Sequence, residues 1–393
     1  MRILMVAPHP VYSPRGTPIS VLNRCKALCS LGHTVDLVTY GVGETVPVEG
    51  LRYLRAPVPW VRSVGVGPSW RKIPLDAAVF AKAAWLLMTR KSSYDVLHTH
   101  EEAGVLALLP GRRRLRHVYD MGNEFSVVAG NYGFGDRHPL TRMAALAERA
   151  IVRHADAVIA HFPSIRESIR AWGDDVPVEV VPNVDLGAAP SRAEAIGFRR
   201  RWVAPGELLV LYAGTLEGYQ GVDDLVDAMA SLELEPYPLR LVVAGGTSPQ
   251  VDAMRARAAR LGLHNVVFTG TVPEGEVPAA LAAADILVSP RAAGSNTPLK
   301  IFAYLRHGGP ILATRIASHT QVLDEQCALL VEPGADGLAL GLAKLAADPE
   351  LRAALASAAR KVGKRFTPEG YVASVASAYG KLAGAVRLAR SGA

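Results

Sequence analysis

The sequence predicts an α/β protein with two domains, each built on a doubly wound parallel sheet. The first observation is length, because 393 residues suffice for two or three domains that each bury their own core. The second is composition, since 50% hydrophobic and 20% charged residues are typical of a globular chain and not of a disordered one. The third is an alternation of short apolar runs with helical patterns, which indicates right-handed crossovers between parallel strands.

The sequence of the front half predicts seven strands with helices between them. The apolar runs are short, as buried parallel strands should be. The clearest helical patterns cover residues 16–31, 75–91 and 140–154. The predicted strands cover residues 2–7, 34–40, 51–56, 94–98, 117–121, 157–161 and 178–181.

A linker is predicted at residues 182–190, where the alternation stops before it starts again. We therefore expect an N-terminal domain over residues 1–185 and a C-terminal domain over residues 186–365. The tail, residues 366–393, has Thr367 as a helix N-cap and Pro368 in the first turn, and we expect its helix to reach about Leu388 and to pack towards the N-terminal domain. The strands of the second domain are predicted at residues 208–212, 239–244, 266–269, 286–289, 311–314 and 328–331.

Composition and charge disfavour several classes of protein. Three cysteines do not suggest a disulfide framework, and Cys25 and Cys29 are expected to be buried thiols. The sequence shows neither the apolar region of a signal peptide nor an apolar run of about 18 residues, so the expected location is the cytoplasm. The net charge is +7, and residues 1–185 carry +5 of it (22 Lys and Arg against 17 Asp and Glu), so an anionic partner would meet the front half. No motif that reads nucleic acid is present, and nucleic acid is not an expected partner.

Seven stretches of the chain together carry a family resemblance. In the front half they are residues 7–40, 94–104 and 154–160, and in the rear half YAGTLEGYQGVDDLVDAM, LVVAGG, NVVFTGTVPEGEVPAALAAADILVSPR and SPRAAGSNTPLKIFAYLRHGGPILAT. Their order and spacing resemble the retaining nucleotide-sugar glycosyltransferases of the GT-B fold, the family 4-like or group 1 enzymes. The resemblance covers nearly the whole chain and implies two facing Rossmann-like domains.

The resemblance also implies a reaction. A hexose would move from a nucleoside-diphosphate sugar, such as a UDP-sugar or GDP-sugar, to a hydroxyl acceptor, and the anomeric configuration would be retained. The acceptor could be a glycan, a lipid-linked molecule or a small molecule, as in cell-envelope or polysaccharide biosynthesis. The sugar nucleotide is a co-substrate, and neither a cofactor nor a metal ion is implied. The site would lie in the cleft between the domains, where the carboxyl ends of parallel strands bind ligands.

The rear half departs from the family at four charged positions. The two cations that neutralise the diphosphate in the family fall on Thr215 and Gln220, and the two glutamates fall on Ser295 and Ala303. Alanine cannot accept a hydrogen bond from the ribose, so another group takes that task or the nucleotide binds more weakly.

Arg291 and Lys300 are expected to supply the missing positive charge. Arg291 follows a strand, and Lys300 lies in the first turn of a helix predicted to have Pro298 as its first residue, where backbone N–H groups attract an anion. The alternative is that both are solvated surface charges. The expected donor-binding residues are Gly16, Thr17, Gly214, Thr215, Gln220, Gly245, Arg291, Gly294, Ser295, Asn296, Thr297, Pro298, Leu299, Lys300 and Ala303.

Polar residues also follow two front-half strands. His98 and His100 share one face of a strand end, but a zinc site is not expected because no third ligand is evident. At the next strand end, Gly122 stands where many relatives have a histidine that bonds the transferred sugar. The expected catalytic residues are Asp120, Asn123, Glu124 and His100, and the expected acceptor-side residues are His98 and Glu101.

A peripheral contact with the inner face of an anionic membrane is also considered. Residues 58–72 interleave Trp60 and Trp70 with Arg62, Arg71 and Lys72, and an apolar helix follows at residues 80–88. Residues 111–116 add a basic cluster of Arg112, Arg113, Arg114 and Arg116. Such surfaces can dock on lipid headgroups, and the alternatives are an acidic substrate or a plain solvated surface.

Two other functions compete with the transferase. A sugar-nucleotide epimerase would need carboxylates and histidines from both halves, and the rear half offers few. A catalytically degenerate protein that acts as a binding or regulatory partner is favoured by the lost glutamates. The positions of Arg291 and Lys300 oppose this second alternative.

Overall fold

The computed structural model describes residues 1–13, 16–65, 69–109, 115–126, 138–184, 186, 189–294 and 296–391. Its contacts divide the chain into two units, which are Met1–Asn183 with Glu369–Ala393 (unit 1) and Val184–Pro368 (unit 2). Each unit has one parallel sheet with helices, and the predicted fold class is confirmed. The domain boundaries drawn at residues 185 and 365 stay predictions.

Unit 1 contains a seven-stranded parallel sheet in the order β3-β2-β1-β4-β5-β6-β7. The inner strands β1, β4, β5 and β6 are buried over nearly their whole length, because helices cover both faces of a wound sheet. This agrees with the apolar runs of β1 and β6, whereas β4 and β5 also bury the polar residues His98, His100 and Asp120. The strands are β1 (Arg2–Val6), β2 (Thr34–Tyr40), β3 (Leu51–Ala56), β4 (Val96–His100), β5 (Arg116–Met121), β6 (Ala157–Ala160) and β7 (Val178–Val180).

The last helix of the chain belongs to unit 1. It begins at Pro368, as predicted, and places Tyr371, Val375, Ala378 and Leu382 on one buried stripe at helical spacing. The described helices of unit 1 are α1 (Gly16–Ser30), α2 (Lys72–Thr89), α3 (Pro139–Arg153), α4 (Pro163–Ala171) and, at the C-terminal end of the chain, α13 (Pro368–Ser391). A 3-10 helix covers Glu101–Leu108.

Unit 2 contains a six-stranded parallel sheet in the order β10-β9-β8-β11-β12-β13. Its strands are β8 (Leu208–Ala213), β9 (Leu239–Ala244), β10 (Val266–Gly270), β11 (Ile286–Ser289), β12 (Ile311–Thr314) and β13 (Leu329–Val331). Its helices are α5 (Arg192–Trp202), α6 (Val222–Ala228), α7 (Ser248–Arg260), α8 (Val277–Ala283), α9 (Leu299–His307), α10 (Ala317–Thr320), α11 (Ala335–Ala347) and α12 (Pro349–Gly363).

Two predicted boundaries were wrong in ways that affect the site. Strand β4 covers Val96–His100 and not residues 94–98, since a 3-10 helix (Lys91–Ser93) ends just before it. His98 and His100 therefore lie within the last three residues of a buried strand. Strand β6 ends at Ala160 and not at residue 161, so His161 lies just beyond the strand.

Within the described residues, every helix is too short or too polar to cross a bilayer.

Candidate functional site

A buried carboxylate, Asp120, organises the carboxyl-terminal edge of the unit 1 sheet. Its Oδ2 accepts a hydrogen bond from Arg24 Nε (2.8 Å) and lies 3.2 Å from His98 Nε2, while its Oδ1 lies 2.7 Å from His161 Nε2. The Asp120 side chain has no exposure to solvent. Burial alone raises its pKa, but the Arg24 guanidinium and the histidine rings bring that pKa well below the ordinary value.

Helix α13 contributes two rings to this cluster. The Tyr379 hydroxyl lies 2.7 Å from His98 Nδ1, so both ring nitrogens of His98 have partners. The Tyr371 ring centroid lies 5.2 Å from the Arg24 guanidinium carbon, which is a cation–π contact. Burial lowers the pKa of His98, and the ring is therefore neutral near pH 7.

Asp120 and His98 are fully enclosed by these partners. This geometry favours a positioning role for both residues over the substrate contact predicted for them, because no atom of either side chain is left to meet a ligand. His100 differs: its Nε2 is buried and has no hydrogen-bond partner among the described residues. Burial also brings the pKa of His100 well below its usual value, so the ring is neutral and can accept or donate one hydrogen bond.

His161 is a site candidate that the sequence analysis missed. Its Nε2–H donates to Asp120, which leaves Nδ1 as an acceptor 3.4 Å from the Asn183 amide nitrogen. A Cβ placed on Gly122 would lie 3.6 Å from His161 Nδ1 and 3.0 Å from Glu101 Oε1. His161 and Glu101 therefore border the space that a side chain at position 122 would fill. His161 directly follows β6, at the sheet edge that also carries Asp120, and this position could have identified it from the sequence.

Glu101 has the backbone conformation expected of a functional residue. Its φ of 49° is in the left-handed region, which is uncommon outside glycine and clusters at active and binding sites. Its Oε2 lies 3.3 Å from His9 Nε2. Burial alone raises the pKa of Glu101, but the His9 contact brings it below the ordinary value, whereas burial raises the pKa of the adjacent Glu102 to about 7.

The other two predicted catalytic residues follow Gly122. The Glu124 carboxylate accepts a hydrogen bond from Ser168 Oγ (2.6 Å). Asn123 Oδ1 is buried and has no hydrogen-bond partner among the described residues. Asn123 thus offers a buried acceptor without a partner, and Glu124 keeps acceptor capacity beyond its bond to Ser168.

His98, His100 and Asp120 can be considered as metal ligands, since one ligand atom from each lies within 4.8 Å of the others. The sequence shows no third zinc ligand beside the two histidines, but the fold brings Asp120 to them as a third group. However, the Arg24 guanidinium already neutralises Asp120 at 2.8 Å and would repel a divalent cation. We assign no metal to this cluster.

Unit 2 carries a lysine without a carboxylate partner. Lys300 lies in the first turn of α9, and its Nζ is 3.8 Å from the centroid of the Tyr212 ring and 3.3 Å from Gln220 Oε1. No ion pair of Lys300 occurs among the described residues. Burial, reinforced by the charge of Arg291, brings the pKa of Lys300 well below its usual value.

Arg291, the second predicted cation, is used largely by the protein itself. It donates from Nε to the Ala293 carbonyl (2.7 Å) and from one terminal nitrogen to the Asn296 carbonyl (2.6 Å), and it is 8% exposed. Gly294, at φ 122°, leaves the room that the guanidinium occupies. The geometry therefore assigns Arg291 to holding this loop and leaves Lys300 as the better placed cation for a ligand.

Two glycines shape the strand ends beside Lys300. A Cβ on Gly214 would lie 2.7 Å from Lys300 Nζ, and a Cβ on Gly245 would lie 2.0 Å from the Gly214 carbonyl oxygen. Both have positive φ, 155° and 128°. Side chains at these positions would obstruct the ammonium group and separate β8 from β9. Thr215 contributes its carbonyl, which accepts a hydrogen bond from the Tyr212 hydroxyl (2.6 Å).

The prediction for Pro298 was wrong in detail. Pro298 is the N-cap, with extended backbone (φ −62°, ψ 140°), and α9 begins at Leu299. The ring fixes φ but not ψ, so proline fits either position. The Leu299 and Lys300 N–H groups still belong to the first turn, where backbone donors lack partners within the helix.

The remaining predicted donor-binding residues are less informative. Thr297 is buried and its Oγ1 has no partner among the described residues. Ala303 is half-buried and packs against an apolar cluster of unit 2. Gly16 begins α1, followed by Thr17, and a Cβ on Gly16 would meet nothing within 4 Å. Ser295 lies outside the described residues.

Comparisons with known proteins agree with the fold. The family model "Glycosyl transferases group 1" matches residues 198–362, and the model "Glycosyl transferase 4-like domain" matches residues 15–184. The chain is 29% identical to D-inositol 3-phosphate glycosyltransferase from Xylanimonas cellulosilytica, over 96% of each chain.

Solved structures share the architecture. Sucrose-phosphate synthase from Thermosynechococcus elongatus superposes with a TM-score of 0.80 at 21% identity, over 98% of this chain and 99% of that one. HepE of Anabaena, in complex with UDP-glucose, superposes with a TM-score of 0.72 at 18% identity, over 96% of this chain and 98% of that one. The solved structures show the fold, and the two family models show the class of protein, which is the glycosyltransferases. The chain belongs to the glycosyltransferases of the GT-B fold.

The Asp120 cluster predicts a pH-dependent loss of stability. We expect Asp120→Asn to lower the free energy of unfolding by roughly 3–5 kcal/mol at pH 7, because it leaves the buried Arg24 charge uncompensated. Since the pKa of Asp120 in the folded protein lies well below 3.8, its contribution is complete above about pH 4 and is lost as the pH falls through the folded-state pKa. Urea unfolding from pH 3 to pH 8 measures the difference.

Asp252→Asn is the matched control, because the Asp252–Arg255 pair is exposed (3.5 Å) and should contribute about 0–1 kcal/mol. An equal loss in the free energy of unfolding for Asp120→Asn and Asp252→Asn would contradict a dominant role of the buried cluster.

Proposed function

We propose that this glycosyltransferase moves a sugar from a nucleoside-diphosphate sugar to a hydroxyl acceptor, with retention of configuration and without a metal ion. The observation that carries the donor assignment is Lys300, a buried lysine without an ion-pair partner among the described residues. A diphosphate would supply the negative charge that the protein does not, beside two glycines and the first turn of α9.

The same contacts support the chemistry. As the bond to the anomeric carbon breaks, negative charge grows on the departing diphosphate. Lys300, together with the N–H groups of Leu299 and Lys300, is placed to stabilise that charge. The leaving phosphate can itself accept the proton of the incoming hydroxyl, so no protein base is required. Orientation and charge stabilisation are then the main tasks of the site.

The donor is proposed by analogy with one structural neighbour. HepE of Anabaena was solved with UDP-glucose, and its likeness to this chain shows the fold alone. UDP-glucose is therefore the first donor to test, ahead of other UDP-sugars and of GDP-sugars. For the acceptor, the name of the Xylanimonas relative suggests a phosphorylated cyclic polyol as the first candidate.

In unit 1 we propose His161, Glu101 and Asn123 as ligand contacts. His161 Nδ1 borders the space beside Gly122 and would accept from a ligand hydroxyl in place of its long contact with the Asn183 amide (3.4 Å), while the buried Asp120 carboxylate fixes the orientation of the ring. Glu101 and Asn123 add acceptor oxygens at the same edge. These groups suit hydroxyls of a sugar, whereas Asp120 and His98 act through their neighbours.

Product analysis tests the proposal. The protein is incubated with UDP-sugars or GDP-sugars and inositol 3-phosphate in the presence of EDTA. Release of nucleoside diphosphate is measured, and the anomeric configuration of the product is read by NMR. A retained configuration with full activity in EDTA is expected. Donor binding without turnover, across a broad acceptor panel, would favour a degenerate binding protein instead.

Lys300→Ala should weaken binding of the nucleoside diphosphate by roughly 1.5–3 kcal/mol, or about 10- to 150-fold, because a charge-assisted contact to the phosphate is lost. Isothermal titration calorimetry with UDP and GDP measures this change. Thr215→Ala is the control at the site, since Thr215 contributes its backbone carbonyl, and it should change affinity much less. Equal affinity of wild type and Lys300→Ala would rule out this use of Lys300.

His161→Phe should lower kcat/KM roughly 10- to 100-fold, because a hydrogen bond to a substrate hydroxyl is lost, while affinity for the free nucleoside diphosphate stays unchanged. His161→Gln, which can still donate to Asp120, should restore part of the activity. His264→Asn, at an exposed position of unit 2, is the control. A loss of stability in His161→Phe with normal kcat/KM would reduce His161 to a structural role.

A further inference from the structure

Helix α2 of unit 1 has an apolar solvent face. Between its terminal residues Lys72 and Thr89, the exposed residues are Ile73, Ala77, Ala81, Trp85 and Met88, spaced by four, four, four and three positions. Ile73 and Met88 are each 70% exposed and Trp85 is 48% exposed. This row, called the α2 stripe, runs along an 18-residue helix and so extends for about 25 Å.

The opposite face of α2 is already committed to the core. Leu75, Val79, Ala83, Leu86 and Leu87 are buried against the unit 1 sheet. A helix on the surface of a globular protein normally turns a polar face to water. Helix α2 is apolar on both sides, which is typical of a helix whose outer face meets a partner.

Arginines lie at both ends of the α2 stripe. The Arg90 guanidinium carbon lies 5.6 Å from the centroid of the Trp85 ring, and the Arg71 carbon lies 5.6 Å from that of Trp70, which is 71% exposed just before the helix. Residues 57–93 contain six Lys and Arg residues and one carboxylate, Asp76. That carboxylate is half-buried and accepts a hydrogen bond from the Tyr40 hydroxyl.

We propose that the α2 stripe lies in the headgroup region of an anionic membrane. Tryptophan and arginine side chains side by side suit this region, where rings meet acyl chains and cations meet phosphates. A second copy of the chain is the competing occupant. Charge complementarity argues against it, because a symmetric contact would bring the same cations together with one carboxylate per copy. The inference does not depend on the proposed reaction.

The basic cluster considered from the sequence contributes little to this inference. Arg112, Arg113 and Arg114 lie outside the described residues, and Arg116 pairs with Asp156 (3.0 Å). The α2 stripe therefore rests on different residues from that cluster.

Co-sedimentation of the full chain with vesicles tests the proposal. Vesicles of phosphatidylglycerol with phosphatidylcholine should bind the protein, vesicles of phosphatidylcholine alone should bind it much less, and binding should fall between 50 and about 500 mM salt. The double variant Trp85→Ser with Met88→Ser should bind phosphatidylglycerol vesicles roughly 10-fold less or weaker still. Leu340→Ser, at a 59% exposed position of unit 2, is the matched control and should bind as the wild type does.

A second variant keeps the test decisive if the double variant does not fold. Arg71→Glu with Arg90→Glu leaves the apolar residues in place and should weaken binding to phosphatidylglycerol vesicles with a smaller dependence on salt. Normal vesicle binding by both double variants would overturn the proposal, as would no binding of the wild type at low salt. A concentration-dependent dimer that the Trp85→Ser, Met88→Ser variant abolishes, without vesicle binding, would assign the stripe to a second copy.

Discussion

The buried pair of Arg24 and Asp120 is the interaction on which the order of unit 1 depends. Taking either charge out of water alone is expensive, so each needs the other. The pair joins α1 to the end of β5, and through Asp120 it also orients His98 on β4 and His161 after β6. Tyr371 and Tyr379 on α13 close the cluster. The C-terminal helix therefore takes part in the electrostatics of the sheet edge.

Unit 2 has the opposite arrangement of charge. The guanidinium of Arg291 is held by carbonyl oxygens of its own loop, and Lys300 faces an aromatic ring and an amide. A cation–π contact stabilises an ammonium group but does not neutralise it. Among the described residues, Arg24 in unit 1 faces the carboxylate of Asp120, whereas Lys300 in unit 2 faces no carboxylate, and only the second arrangement favours an anionic ligand.

The sequence predicted the sheets well because buried parallel strands are short apolar runs with clear ends. Each of the thirteen described strands lies where a run was recognised, and no strand end is shifted by more than two residues. The cluster around Asp120 was harder to predict. Arg24 and Asp120 are 96 positions apart, and His98 and Tyr379 are 281 apart, so their contacts arise only when the sheet assembles. Pairing at that distance leaves no local pattern. For the same reason Asp120 looked like a catalytic residue, although its partners enclose it.

The absence of the family's two glutamates, at positions 295 and 303, is consistent with the charges of the proposed donor site taken together. In the family pattern two cations and two carboxylates surround the nucleotide, whereas here Ser295 and Ala303 carry no charge and the cations are Arg291 and Lys300. A carboxylate at position 303 would add a negative charge to the helix that carries Lys300, at a position whose neighbours are apolar. That negative charge would weaken diphosphate binding unless the ribose hydroxyls donated hydrogen bonds to the carboxylate. In the proposed donor site the lost cations and the lost carboxylates therefore cancel in charge, and Arg291 and Lys300 supply the positive charge that a diphosphate would meet.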